Sequence, residues 1–196
     1  ETSGEARHLA RAAEIVALFR TRFFDEEILT LREFFGSAWQ LAPEFRSERL
    51  DPGHMMEWVW LLRRYERASH QPVATYTAAL FSSAERIGTD AAGFLLDEVD
   101  PAGKPLSNGR RLWPQTEYLK ACLVEGEMQA NAAYRVMGDA MAARIVATYL
   151  KGNPRGLWID RFDLEGGVAV DHVPASILYH LLAPVIEYLR IEMKGG

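Results

Sequence analysis

The sequence predicts an all-α domain over residues 1–196, built of helical hairpins arranged in a ring as an α/α toroid, with short β-hairpins inserted between helices. Three observations predict it. Proline stands at the start of four helical patterns, at Pro52, Pro72, Pro114 and Pro174, where its fixed φ and missing N–H suit a first turn. Apolar residues recur at helical spacing through most of the chain. The elements run helix pair, hairpin, helix pair, hairpin, helix, and no low-complexity stretch or linker divides them. At 196 residues the chain is long enough to bury one core.

The first helix is "GEARHLARAAEIVALFRTRF", with Leu9, Ala12, Ala13, Val16, Phe19 and Phe23 on one face and Arg7, Arg11, Glu14 and Arg20 elsewhere. An irregular piece from Phe24 to Asp51 follows. Asp51-Pro52 then supplies an N-cap and a first-turn proline for a helix ending near Ala68. Its partner runs from Pro72 to Gly88. The stretch from Gly93 to Trp113 reads as a hairpin turning at Asp100-Pro-Ala-Gly103. Pro114 opens another helix, and the longest helical pattern, from Glu125, is expected to stop at Gly152. A second hairpin turns at Glu165-Gly-Gly167, and Pro174 opens the last helix.

Composition narrows the function. Hydrophobic residues make up 48% and charged ones 25%, as in ordinary globular chains. The net charge of −5 and the lack of any basic run beyond two residues argue against nucleic acid and against an anionic membrane surface. No apolar run is long enough to span a bilayer, and no leader pattern is visible at the start. Cys122 is the only cysteine, so no internal disulfide can form, and a reducing, cytoplasmic setting is expected.

Three stretches place polar groups on apolar helices. In "DPGHMMEWVWLLRRYE", His54, Glu57 and Trp58 share a face at i, i+3 and i+4. Burial and the helix N-terminus favour the neutral ring of His54 and Glu57 favours the protonated one, a balance that suits an acid/base near neutrality. A buried His–Glu pair that merely satisfies itself is the alternative. His-x-x-Glu-His would suggest zinc, but position 58 is Trp, so no metal is expected. In "RRLWPQTEYLKA", Trp113 sits at a helix mouth with Glu117 one turn in, a platform and an acceptor for a sugar, or simply a first-turn carboxylate. In "DHVPASILYHLLAPVIEYLR", His180 lies on an apolar helix, and Pro184 removes the i+4 donor for its carbonyl and should kink the helix.

Taken together and in order, "DPGHMMEWVWLL", "RRLWPQTEYLKA" and "VPASILYHLL" resemble motifs of the N-acylglucosamine 2-epimerase family, which includes cellobiose 2-epimerases and aldose–ketose isomerases of mannose type. The resemblance implies about half of an (α/α)6 barrel, its C-terminal half, and no cofactor. It implies a sugar isomerase or epimerase acting at C1/C2 of a reducing-end aldose or ketose, such as mannose or an N-acylglucosamine, by His-mediated proton transfer through an enediol. His54 and His180 would be the acid/base pair, Glu57 the carboxylate tuning His54, and Trp113, Glu117, Arg46 and Trp58 sugar contacts. The partner is then a small sugar. Arg46, Arg49, Arg110 and Arg111 are the rim cations that a phosphorylated sugar would need.

A family chain is about twice this long, which implies a fragment or ordered remainder of a full enzyme. The open seam of such a half-barrel should be apolar and exposed, ready for another copy or for the missing N-terminal half. Two rival readings are a catalytically incomplete half-barrel serving as a binding or oligomerisation module, and an inverting glycoside hydrolase using Glu57 and Glu117. Turnover of sugar by the half-barrel would exclude the first, and whether His180 or Glu117 stands opposite His54 decides the second.

Overall fold

The computed structural model describes residues 5–151 and 156–195, the side chains of 194 and 195 excepted. Helix α1 (Ala6–Leu18) runs into a π-helical turn (Phe19–Phe23). A two-stranded hairpin, β1 (Phe24–Asp25) and β2 (Thr30–Leu31), and a 3-10 turn (Pro43–Phe45) lead to α2 (Pro52–Ser69). Then come α3 (Ala74–Gly88), β3 (Arg110–Arg111), α4 (Leu112–Gln129), α5 (Ala132–Thr148), β4 (Arg161–Phe162) and α6 (Ile177–Gly195). The all-α class with small β-hairpins is thus the observed one. Among the described residues no helix is long and apolar enough to cross a membrane.

The helices form an arc. Helix α4 packs on α2 and on α6, while α3 backs α2 and α5 backs α4. Three inner helices, α2, α4 and α6, therefore stand side by side and two outer ones return the chain behind them, which is half of an α/α ring. The central position of α4 explains its sequence: every residue from Leu112 to Glu125 is buried. The core joins Met55, Met56, Val59 and Leu62 of α2 to Leu80 and Ala84 of α3, Leu119 and Leu123 of α4, and Met141 and Ile145 of α5. Each such side chain stabilises the fold by roughly 1.5–3 kcal/mol on burial.

Two buried polar residues tie α4 to its neighbours. Gln115 accepts from the backbone N–H of Leu95 at 2.8 Å and donates to the carbonyls of Leu95 and Arg111 at 2.9 and 3.0 Å, pinning the inserted hairpin to the helix mouth. Glu125 takes a two-pronged contact from Arg63 of α2, 2.6 and 2.8 Å.

Helix α2 begins as expected. The Asp51 carboxylate accepts from the N–H groups of Gly53 and His54 at 2.9 and 3.3 Å, with Pro52 in the first turn. Gly53 is required by close approach: a Cβ there would lie 2.8 Å from both Pro114 Cβ and the Trp113 ring. The mouths of α2 and α4 therefore touch through a glycine. Gly53→Ala is expected to destabilise the fold by about 1–3 kcal/mol through overpacking. Chemical denaturation measures this, and an unchanged midpoint would remove the packing argument.

The structure refines several expectations. The long helical pattern from Glu125 is broken at Ala130, which adopts the left-handed region at φ 50°, and Asn131 caps a new helix by accepting from the N–H of Ala133 at 3.0 Å. Ala and Asn keep enough helix propensity to hide that break from periodicity. Gly152, where the pattern was expected to end, lies outside the described residues, and α5 itself ends at Thr148. The piece from Phe24 to Asp51 holds the β1–β2 hairpin. The second hairpin does turn at Glu165-Gly166-Gly167, but its strand β4 also pairs with β3, fifty positions earlier in the chain. Helix α6 starts at Ile177, three residues after Pro174, and continues through Pro184 without interruption.

One face of α6 is bare. Leu178, Tyr179, Leu182, Val185, Ile186 and Leu189 are each more than half exposed. Behind them an apolar groove of about 270 Å³ runs between α4, α5 and α6, floored by Leu119, Ile145, Leu181 and Pro184. An apolar, exposed edge is what half of a ring should present.

Candidate active site

The first turns of the three inner helices converge. From α2 comes His54, from α4 come Trp113 and Glu117, and from α6 comes His180. The ring of His54 lies 4.8 Å from that of Trp113, and the ring of His180 lies 5.3 Å from the same indole. Residues 126 positions apart in sequence are therefore no farther from each other than those two separations laid end to end. Trp113 is buried between them, with the guanidinium of Arg111 5.4 Å over its ring.

Each histidine has its Nδ1 against a carboxylate. For His180 it is Glu117 Oε1 at 2.6 Å. For His54 it is Glu33 Oε1 at 2.8 Å, with Asp51 Oδ2 at 3.6 Å. The two environments differ. His180 is buried, while the side chain of His54 keeps 40% exposure. Burial opposes the charged form of His54, but the hydrogen bond its ring donates to Glu33 and the charges of Asp51, Glu33 and Glu57 outweigh it and raise its pKa to about 9. Burial raises Asp51 to about 6, against the pull of His54 and Arg111.

The partner of His54 is thus Glu33 rather than Glu57. Glu57 acts on the ring only through space, behind Glu33 and Asp51. Its own pKa is raised by burial and by the charge of Glu117, against Lys120 and the two histidines, which places it among the same groups. The balance near neutrality expected for His54 is tipped toward the imidazolium, because two further carboxylates face it. Sequence reasoning missed Glu33: it lies in the irregular run after β2, where no periodicity marks which way a side chain points.

A discriminating experiment follows. Glu33→Gln should lower the His54 pKa more than Glu57→Gln does, read by proton NMR of the ring. Because the folded pKa is raised above its ordinary 6.5, the stability that protonated His54 contributes is fully present below about 6.5 and is lost as pH rises through about 9. In Glu33→Gln that contribution should be smaller and its loss complete at lower pH. A larger shift from Glu57→Gln would overturn this assignment.

The remaining expected site residues are placed as follows. Both oxygens of Glu117 are taken, Oε1 by His180 and Oε2 by Lys120 Nζ at 2.6 Å, and the residue is fully buried. Trp58 stacks on Phe19 with ring centroids 4.6 Å apart and meets Phe23 edge-on, so one of its faces belongs to an aromatic cluster with the π-helical turn. Arg46 ends the 3-10 turn in the left-handed region and reaches Glu98 at 3.3 Å. Arg49 meets the same carboxylate at 2.8 Å.

The model of the N-acylglucosamine 2-epimerase (GlcNAc 2-epimerase) family matches residues 1–184. A protein of Rhizobium meliloti (strain 1021) named mannose-6-phosphate isomerase is 34% identical over 183 residues, covering 90% of this chain and 46% of its own length. Among solved structures, a D-mannose isomerase superposes with a TM-score of 0.80 at 19% identity, over 96% of this chain and 52% of that one. Cellobiose 2-epimerase from Bacillus thermoamylovorans B4167 gives 0.79 at 17%, over 96% and 48%. The chain therefore spans about half the length of the relatives it matches, and its arc of helices is half of their (α/α)6 barrel. With a family model covering all three inner helix mouths and nearly all of the arc, the chain belongs to the N-acylglucosamine 2-epimerase family.

Proposed function

We propose that this chain carries the proton-transfer centre of a sugar isomerase or 2-epimerase working at C1/C2 of mannose or a related reducing-end sugar. The observation that carries the reading is the pair of carboxylate-bound histidines meeting on one tryptophan. With Nδ1 of each ring turned to a carboxylate, Nε2 is the nitrogen left for substrate. Relatives named mannose-6-phosphate isomerase, D-mannose isomerase and cellobiose 2-epimerase support this reading by those names.

The two histidines divide the work. His54, held protonated by Glu33, Asp51 and Glu57, is the acid. His180, backed by Glu117, is the base. On the ring-opened aldose, His180 Nε2 takes the C2 proton, the electron pair forms the C1=C2 double bond, and O1 takes a proton from His54. The product is an enediol. Return of the proton to C1, with loss of the O2 proton, gives the ketose; delivery of a proton to the opposite face of C2, with loss of the O1 proton, gives the epimer.

The rim arginines favour a neutral sugar. Arg46 and Arg49 face Glu98, Arg110 pairs with Asp90 at 2.7 Å, and Arg111 lies 3.2 Å from Asp97 and 3.7 Å from Asp51. A phosphate would have to compete with a carboxylate for each of them. Glu117, already held by His180 and Lys120, is also poorly placed as the acid or base of a glycosidase.

The test is proton NMR in D2O with the full chain expressed from its own gene, incubated with mannose, fructose, glucose, N-acetylmannosamine and mannose 6-phosphate. Deuterium entering C2 of a neutral sugar, with or without ketose, is expected. Release of reducing ends from a glycoside with no C2 exchange would replace this reading with hydrolysis. No exchange with any sugar would defeat it.

A further inference from the structure

Lys120 has no place in the reading above, yet it is among the most buried cations in the chain, only 2% exposed. An ammonium removed from water costs several kcal/mol unless its surroundings replace the lost hydration. Here they do so in a specific way. Nζ lies 2.6 Å from Glu117 Oε2 and 4.1 Å over the ring of Trp60 from α2. The Trp60 N–H donates to Glu187 Oε1 at 3.0 Å, which fixes the indole. Glu187 is buried, and burial pushes its pKa up, but hydrogen bonds from Arg190 and Trp60 and the charge of Arg64 outweigh this and hold it below the usual carboxylate range. Glu187 sits on α6, seven residues after His180, so the chain of contacts returns to the helix that carries the base. The path closes: His180, Glu117, Lys120, Trp60, Glu187 and back along α6.

We infer that Lys120 is a positioning residue for His180: by occupying Glu117 Oε2 it leaves Oε1 as a fixed acceptor, which holds His180 in the tautomer with Nδ1 protonated and Nε2 bare. The physical reason is a choice between two arrangements of one buried pair. A carboxylate balanced by an ammonium is ionised and can only accept, so the imidazole facing it must donate from Nδ1. Without the ammonium, a fully buried carboxylate is driven toward its neutral form, which donates a proton of its own. The ring would then accept at Nδ1 and carry its proton on Nε2, where a base can take nothing. The sequence contained a signal for this, since Lys120 stands one helical turn after Glu117 in an apolar run. The catalytic consequence rests on the isomerase reading; the tautomer does not.

Long-range 1H–15N spectra of the histidine rings in the 15N-labelled full chain, assigned with His180→Gln, are the test. Neutral His180 in the wild type should show Nδ1 protonated and Nε2 unprotonated. Lys120→Met and Lys120→Gln should move the pattern toward Nε2–H, and Lys120→Arg should restore it. In C2 exchange, the neutral variants should lose kcat on the order of 10²-fold, as expected when a base is misdirected, with KM held. A folded neutral variant that keeps the Nδ1–H pattern would overturn the inference. Should both neutral variants fail to fold, the wild-type spectrum decides alone, since an Nε2–H tautomer there also overturns it. Absence of exchange in the wild type would defeat the isomerase reading and leave the spectra to judge Lys120.

Discussion

His180→Ala and His54→Ala are each expected to reduce C2 proton exchange by roughly 10²–10⁴-fold, the usual contribution of a positioned acid or base. The two losses should not add. In the proposed mechanism both groups act in one enediol step, so the double variant should be little slower than the worse single one, as for groups that act as a unit. The pH dependence should separate their roles. His54, the proposed acid, has its pKa raised to about 9, so activity carried by its protonated form should fall as pH rises through that value. In Glu33→Gln this alkaline limb should move to lower pH. Exchange at the wild-type rate in folded His180→Ala would end the mechanism. An alkaline limb that does not move in Glu33→Gln would end the assignment of His54 as acid.

The largest effect on stability is expected at Arg63, far from any reacting atom. Its guanidinium faces the fully buried Glu125 through Nε and Nη2 at 2.6 and 2.8 Å and Glu66 through Nη1 at 2.6 Å. Arg63→Met strands the Glu125 charge in the packed interface of α2 and α4. The expected loss is about 3–5 kcal/mol, or roughly 10 °C in Tm for a domain of this size. The double variant Arg63→Met, Glu125→Leu should recover most of it, because a buried pair replaced by apolar side chains is often neutral. Thermal unfolding of the four proteins of this cycle measures the coupling. Equal damage in the single and double variants would show that packing, rather than the stranded charge, sets the loss.

What the sequence by itself determined was local. Asp51-Pro52 specified the start of α2 because an N-cap acceptor and a proline act within one turn. Pro114 marked the first turn of α4 for the same reason. His54, Trp113, Glu117 and His180 could be singled out because polar groups on apolar helices are expensive and stand out from their surroundings. What only the tertiary structure decided was pairing. Glu57 is one turn from His54 and looked like its partner, but the side chain that reaches Nδ1 is Glu33, from an irregular segment whose direction no periodicity records. Glu117 looked like a sugar acceptor at a helix mouth, yet α6 brings His180 onto one of its oxygens while Lys120 takes the other. The break at Ala130 was invisible because it costs little in propensity and is stabilised by the packing of α5 against α4. Spacing along one helix reports which residues share a face. Which group from another helix meets that face depends on how the helices pack, and that is set by the whole core at once.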